Sequence, residues 1–473
     1  MSRLGYVRFC SLLFIVFAHS AQAARLIIGD AATTREGLHY LPADDDFHDL
    51  CVPSKRTDYL DSIKCIPLNA QASSYVGLGG YFRERYEFFE HLYFGSESKN
   101  PDQYFTNRTL FHLDFHMGDH LRVFLEPGTY TVQGNLGIPR PTDEDQFDMN
   151  QAFVDLRTEL GDDVTLTLRP GRYEMVYGSG RLVDPREGPN IRQRWDGIKL
   201  IVNKSNALQI DAFLTRPTLN TPGIFDDHGD PGNSFWGVYG TTLQPSSLLS
   251  SHFDLYYFGY QSDFSAYEPE SGAETRQTLG LRWWGKQSAV DYDLEGDAQW
   301  GHVGGADVVA WQAAFQAGYT FEAPTGPRLA ARGDFTSGGG DSNTLHTFNP
   351  LFAALGPFSG EPNPFIPSNL LVIRPIYQQS LNSTVSLAAE WICYWRTSLN
   401  DGVYGPGLYL PSSGSSASSV GTQPDVEIIF QVDPHLSVFA YYSHVFVGQF
   451  ISDALANAAR DMNYVSVWAS YKF

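Results

Sequence analysis

From about residue 75 to the C-terminus the side chains alternate between apolar and polar. In VSLAAEWICYWR, Val385, Leu387, Ala389, Trp391, Cys393 and Trp395 share one face, and in VAWQAAFQAGYTFE so do Trp311, Ala313, Phe315, Ala317, Tyr319 and Phe321. A period of two places successive side chains on opposite faces of a strand. The other face is polar. In VDYDLEGDAQW it carries Asp291, Asp293, Glu295, Asp297 and Gln299, while Val290, Tyr292, Leu294, Ala298 and Trp300 point away from it. Many of these segments run to ten residues or more, which suits a tilted strand crossing a bilayer; strands of water-soluble proteins usually have five or six.

The connections fall into two classes that take turns. Tight ones, such as GDH after Met117, GDD after Leu160, KSN after Asn203 and DPH after Val432, alternate with long ones near residues 91–103, 134–149, 178–193, 217–233, 263–274, 337–369, 397–421 and 447–461. This is the pattern of an outer-membrane barrel with turns on the periplasmic side and loops outside. The chain is therefore expected to be all-β, a transmembrane up-and-down antiparallel barrel of about 18 strands with both ends periplasmic. The fourteenth strand, near residues 370–378, is the least regular because Pro375 removes a ladder donor. At the C-terminus Val465, Val467, Ala469, Tyr471 and Phe473 form one apolar face that resembles the final-strand signal read by barrel-assembly machinery.

Composition agrees, with 14% aromatic residues, 44 glycines and only 18% charged residues. Arg3 and Arg8, the apolar run FCSLLFIVFA and the small-residue site at Ala21 to Ala23 read as a cleaved secretory signal over residues 1–23, placing the mature protein in the bacterial outer membrane. The run is too short for a spanning helix, which needs roughly 20 apolar residues. A net charge of −21 makes nucleic acid and anionic lipid surfaces poor partners. Residues 24–74 form an N-terminal periplasmic extension ahead of a barrel over 75–473. In an oxidising compartment Cys51 and Cys65, which flank VPSKRTDYLDSIK, are expected to form a disulfide. Two roles stay open for the extension: docking periplasmic export components, or folding into the barrel mouth.

If the apolar face meets lipid, the polar face lines a lumen, since a charge facing lipid at the midplane costs roughly 2–4 kcal/mol. Parity then sends Tyr81, Arg83, Arg85 and Glu87 inward, and after them Arg108, His112, Asp114, His116, Arg122, Glu126, Asp155, Arg157, Arg169, Arg172, Glu174, Lys199, Arg276, Arg282, Arg328, Arg332, Glu390 and Arg396. Glu84 falls on the lipid side. Rings of arginine and lysine are how pores select anions. His112, Asp114 and His116 have a metal-like sequence, but positions i and i+4 of a strand lie about 13 Å apart and cannot share an ion, so no metal or other cofactor is expected. The acidic run ADDDFHDL at 43–50 reads as a solvated segment before it reads as a calcium site. No nucleophile elbow, P-loop or HExxH motif occurs, and an enzyme is not expected.

The stretch YGSGRLVDPREGPNIRQRWDG, 177–197, concentrates Arg181, Arg186, Arg192 and Arg194 against Asp184, Glu187 and Asp196, a local balance of +1 in an acidic protein. With FNPLF at 348–352, EWICYWRTSLNDGVYGPG at 390–407 and YYSHVFVGQF at 441–450, it resembles the bacterial alginate-export family of outer-membrane barrels, in order and spacing over most of the chain after Tyr75. The resemblance implies a monomeric 18-stranded barrel whose arginine-rich constriction passes an anionic polysaccharide. Arg172, Arg181, Arg186, Arg192, Arg194 and Lys199 would then line the pore or its loop, Arg83 and Arg85 the first strand's lumen face, and Arg396 and Asp401 the WRxSxxDG block. With Arg108, these arginines and Lys199 form the candidate substrate-binding set. A selective or general diffusion porin for small solutes is the alternative, and a barrel enzyme acting on lipid or glycan a third reading.

Overall fold

The structure is a computed structural model that describes residues 37–473 except 97–99, 135–139, 162, 206, 324 and 342. The expected signal, 1–23, and residues 24–36 of the extension lie outside the described residues. Eighteen long strands form the wall: β1 Ser74–Glu90, β2 Asp102–Met117, β3 Leu121–Gln133, β4 Asp145–Leu160, β5 Val164–Tyr173, β6 Trp195–Lys204, β7 Leu208–Leu219, β8 Asn233–Thr242, β9 Ser251–Ala266, β10 Ser271–Gln287, β11 Val290–Val303, β12 Ala306–Thr320, β13 Arg328–Thr336, β14 Leu370–Ser380, β15 Val385–Arg396, β16 Ser419–Gln431, β17 Leu436–Val447 and β18 Met462–Lys472. Each pairs antiparallel with the next. β18 closes on β1 from Tyr81↔Lys472 to Glu90↔Asn463, leaving the barrel without an edge.

Polarity is inverted relative to a water-soluble protein. Phe111, Leu214, Leu255 and Trp311 stand 47–61% exposed on the outside, whereas Arg83, Arg108, Arg276 and Arg374 are at most 1% exposed within. Parity predicts this distribution, and the barrel matches the expected strand count. Glu84 does lie on the outer face, where its carboxylate accepts a 2.7 Å hydrogen bond from Asn107 Nδ2.

Several ladders run further than the sequence reading placed them. β4 starts at Asp145 rather than near 149. β9 and β10 pair out to Ala266↔Ser271 past a bulge at Ser262/Ser265, so their expected 263–274 loop shrinks to residues 267–270. Tilted strands can carry the ladder beyond the hydrocarbon layer, where neither face need be apolar and the alternation that marks a strand fades. In β14 the register to β15 passes from Ile373↔Cys393 to Ile376↔Glu390, a gap at Arg374 and Pro375 where proline has no N–H to give.

Residues 37–73 enter the barrel from the side of the short turns. Cys51 and Cys65 are joined in a disulfide, and Ile66–Pro67 pairs with Val76 and Tyr75 of β1. The chain is tied at the rim by Asp58 Oδ1 to His435 Nε2 at 3.1 Å and by the Tyr59 and Tyr471 hydroxyls at 2.6 Å. It then reaches inward until Ala43 packs among Phe124 and Phe153, with its carbonyl accepting from Arg122 Nη1 at 2.8 Å.

Candidate functional site

Two long connections on the loop side turn into the lumen, 174–194 between β5 and β6 and 337–369 between β13 and β14. They meet in a short parallel bridge, Val183↔Phe352, with Phe352 N donating to Leu182 O at 2.8 Å and Ala354 N to Gly180 O at 2.9 Å. The first loop can make this turn because Gly178 and Gly180 take positive φ, +60° and +78°; a Cβ on Gly180 would sit 2.8 Å from Asp184 Oδ2. Phe352 then packs edge-on to Trp195, Phe235 and Tyr260, so apolar contact on the lumen wall anchors a mostly polar loop. The tip of the extension joins them: Tyr40 Oη donates to Asp184 Oδ1 at 3.0 Å and the Arg192 guanidinium stacks 4.9 Å above the Tyr40 ring.

The blocks that carry the family resemblance converge here. Beyond the Val183–Phe352 bridge, Asp401 accepts from Gly339 N at 2.8 Å, Thr347 Oγ1 at 2.6 Å and Tyr404 Oη at 2.6 Å. Arg396 donates to the carbonyls of Ser415 (2.8 Å) and Asp401 (3.2 Å) and stacks 4.0 Å over Phe450.

Every residue of the candidate binding set has a protein partner. Arg83 and Arg108 reach from the wall and clamp the loop: Arg83 donates to Glu187 O (2.6 Å) and Pro189 O (3.1 Å), Arg108 to Pro189 O (2.6 Å), Asn190 O (2.8 Å) and Glu187 Oε1 (2.6 Å). Arg192 lies 3.1 Å from Glu174 and 3.6 Å from Glu187. Arg85 donates to Gly188 O at 3.1 Å and pairs with Glu361 at 2.5 Å. Arg172 forks onto Asp196 at 2.7 and 3.0 Å and also meets Asp148 at 3.0 Å. Arg194 pairs with Asp227 at 2.7 Å, and Lys199 lies 3.7 Å from Asp211. Arg186, at φ +61°, donates to the carbonyls of Ala353 (3.0 Å) and Leu351 (3.3 Å). Burial alone would push the Glu187 carboxyl up, but Arg108, Arg192 and Arg83 outweigh it and hold it down at about 2.

Some donors of this set stay open, at Arg83 Nε, Arg192 Nε and Arg194 Nε and Nη1, and a second group has open donors on two facing wall strands. Arg181 bonds Glu295 at 2.9 Å and Asp334; the other oxygen of Asp334 accepts from Arg332 Nε at 3.0 Å. The Phe358 ring lies 5.2 Å from the Arg181 guanidinium and 4.2 Å from that of Arg332. Arg374 stands directly opposite Arg332 in the ladder and donates to Glu390 Oε2 at 3.0 Å. Arg332 Nη2 and Arg374 Nε and Nη2 are buried with no hydrogen-bond partner among the described residues, as are both carboxylate oxygens of Glu427 on β16. Parity finds Arg332. It misses Arg374, because the proline beside it weakens the strand signal.

Between the two groups lies a cavity of about 320 Å³. Its walls include Arg85, Arg140, Arg181, Arg186, Arg282 and Arg332, balanced by Glu87, Asp143, Asp184, Glu187, Asp293 and Glu361. Six charges of each sign make it polar and locally neutral, not a uniformly positive hole.

A closed 18-stranded barrel with an apolar outside, a charged lumen and inward loops is an outer-membrane channel. The description "Alginate export" matches residues 74–466, and the chain belongs to that family. No curated protein matches the chain. Among solved structures the fold is similar to a BenF-like porin from Pseudomonas fluorescens Pf-5 (8% identity, 84% of this chain and 98% of that one, TM-score 0.57) and to the outer membrane protein opdK of Pseudomonas aeruginosa (11%, 84% and 98%, 0.57). It is also similar to Pseudomonas aeruginosa OccK2 (OpdF), solved in complex with glucuronate (11%, 84% and 96%, 0.54).

Proposed function

We propose that this channel selects carboxylate-bearing saccharides, single units or short oligomers, by seating a carboxylate on Arg332 and Arg374. The observation that carries this reading is the set of three unpartnered guanidinium N–H-bearing nitrogens on two facing arginines, one of which lines the cavity. Guanidinium forks match carboxylates in geometry, and a buried donor without a partner gains from any solute that supplies one. The hydroxyls of a sugar suit the remaining acceptors, including Glu427. A cavity of about 320 Å³ is of small-ligand scale, and the glucuronate complex of a similarly folded protein fits the same class.

In this reading Arg83, Arg108 and Arg192 hold the loop 174–194 in place, and Arg85, Arg181 and Arg186 shape the cavity wall. Residues 37–73 act as a periplasmic plug that shifts when solute passes. Passage of a long anionic polysaccharide is the second reading, favoured by the family; it requires both inward loops and the plug to move aside together.

The test is conductance in planar bilayers with glucuronate, an oligouronate and a neutral disaccharide. Concentration-dependent block by glucuronate, weakened by Arg332→Gln, is expected. Equal block by the neutral sugar would exclude carboxylate selection, and current supported only by long polyuronate would move the assignment to polymer export.

A further inference from the structure

We propose a calcium site at the loop-side end of the barrel, formed by Asp145 and Asp148 of β4 and Asp227 of the connection between β7 and β8. One carboxylate oxygen from each lies within 4.8 Å of the others. Calcium binds oxygen at 2.3–2.6 Å, so oxygens on opposite sides of one ion stand at most about 5 Å apart, and these three fall within that limit. Asp145 is the decisive member. It is fully buried, and neither of its carboxylate oxygens has a hydrogen-bond partner among the described residues, a costly arrangement unless a cation fills it.

The neighbours do not supply that charge. Arg172 is engaged by Asp196 through two hydrogen bonds and by Asp148 at 3.0 Å, and Arg194 by Asp227 at 2.7 Å. Four carboxylates against two guanidinium groups leave −2, which one divalent cation cancels. The ligand atoms are all oxygen, which suits a hard cation and not zinc or copper. Calcium fits better than magnesium, because it tolerates irregular geometry and carboxylates bound through one or two oxygens. Asp148 and Asp227 also line an open cleft, which gives the ion a way in. Bound there, it would tie the 220–232 connection to β4 and, through the pair between Asp227 and Arg194, to the base of the loop 174–194.

The experiment titrates EDTA-stripped, detergent-solubilised full-length protein with CaCl2 by calorimetry, alongside thermal unfolding with and without calcium. Saturable binding of one ion at sub-millimolar concentration is expected. Asp145→Asn and Asp148→Asn, each first checked for a folded barrel by gel mobility before and after heating, should weaken it at least tenfold and abolish the calcium-dependent rise in unfolding temperature. Absence of saturable binding to the parent protein, or unchanged affinity in both variants, overturns the site. So does an Asp145→Asn protein that is more stable than a parent indifferent to calcium, which would assign a proton shared between the carboxylates.

Discussion

The lumen contains two arginine clusters that look alike in sequence and differ in structure. Around Glu187, the wall residues Arg83 and Arg108 and the loop residue Arg192 converge on one carboxylate and on backbone carbonyls of the same loop. Around Phe358, Arg181, Arg332 and Arg374 share Asp334, Glu295 and Glu390, and four nitrogens, Arg181 Nε, Arg332 Nη2 and Arg374 Nε and Nη2, have no hydrogen-bond partner among the described residues, against Arg83 Nε and Arg192 Nε in the first cluster. The first cluster directs most of its donors to a loop and holds it against the wall; the second leaves more of its donors open to a solute. Counting arginines cannot separate these roles. The number of acceptors already facing each one can.

The largest effect should come from breaking the first cluster at its centre. Glu187→Ala leaves three buried guanidinium groups short of a counter-charge, a change that costs about 3–5 kcal/mol when a buried pair loses one partner. The loop 174–194 should leave the wall, and trypsin should then cut after Arg186 and Arg192 in a barrel that is otherwise intact. Low pH does the same more gently. Because the Glu187 carboxyl is held below its ordinary value of 4.5, its support for the docked loop is complete above that value and is lost as pH falls through about 2. On this account single-channel conductance is flat from pH 8 to 5 and becomes larger or noisier only below about pH 4. A change centred near pH 6 would point to a different group.

Next in size is the disulfide. Cys51→Ser with Cys65→Ser opens a crosslink over a sequence separation of 14, and a loop of that length contributes about 3 kcal/mol in the chain-entropy account. The plug should loosen, raising open-channel conductance without altering which ions pass. Arg332→Gln should do the converse. It leaves the loop docked and weakens glucuronate block roughly tenfold, the equivalent of one charge-assisted hydrogen bond. If Arg332→Gln also exposes the loop to trypsin, the two clusters are one structural unit and the distinction between them fails.

How far the sequence carried follows from the same contrast. Alternation in VAWQAAFQAGYTFE or VDYDLEGDAQW is imposed by lipid on one side and water on the other, so fold and strand count could be read from the sequence. Arg374 escaped because Pro375 interrupts the ladder that parity relies on. The clamp of Arg83 and Arg108 on residues 187–190 escaped because it joins positions about 80 to 107 apart in sequence, and which acceptor a lumen arginine finds depends on how a loop returns across the barrel. The placing of 177–197 at the pore or its loop was implied by the family resemblance. Its docking on FNPLF was not, since neither segment alternates. Asp145, Asp148 and Asp227 are likewise joined only by the fold.

The smallest effect separates backbone from side chain at Arg186, which belongs to neither cluster. Among the described residues its guanidinium bonds to the carbonyls of Leu351 and Ala353, and its backbone is left-handed at φ +61°. Both Arg186→Ala and Arg186→Gly remove those bonds. Alanine keeps a conformation that costs an L-residue roughly 1–2 kcal/mol, and glycine relieves it. Glycine should therefore hold the loop more firmly than alanine by about 1 kcal/mol, read as slower tryptic cleavage after Arg192, with glucuronate block equal in the two variants. If both variants instead weaken glucuronate block as much as Arg332→Gln does while cleavage stays as in the parent, Arg186 touches the solute and belongs with Arg332 and Arg374.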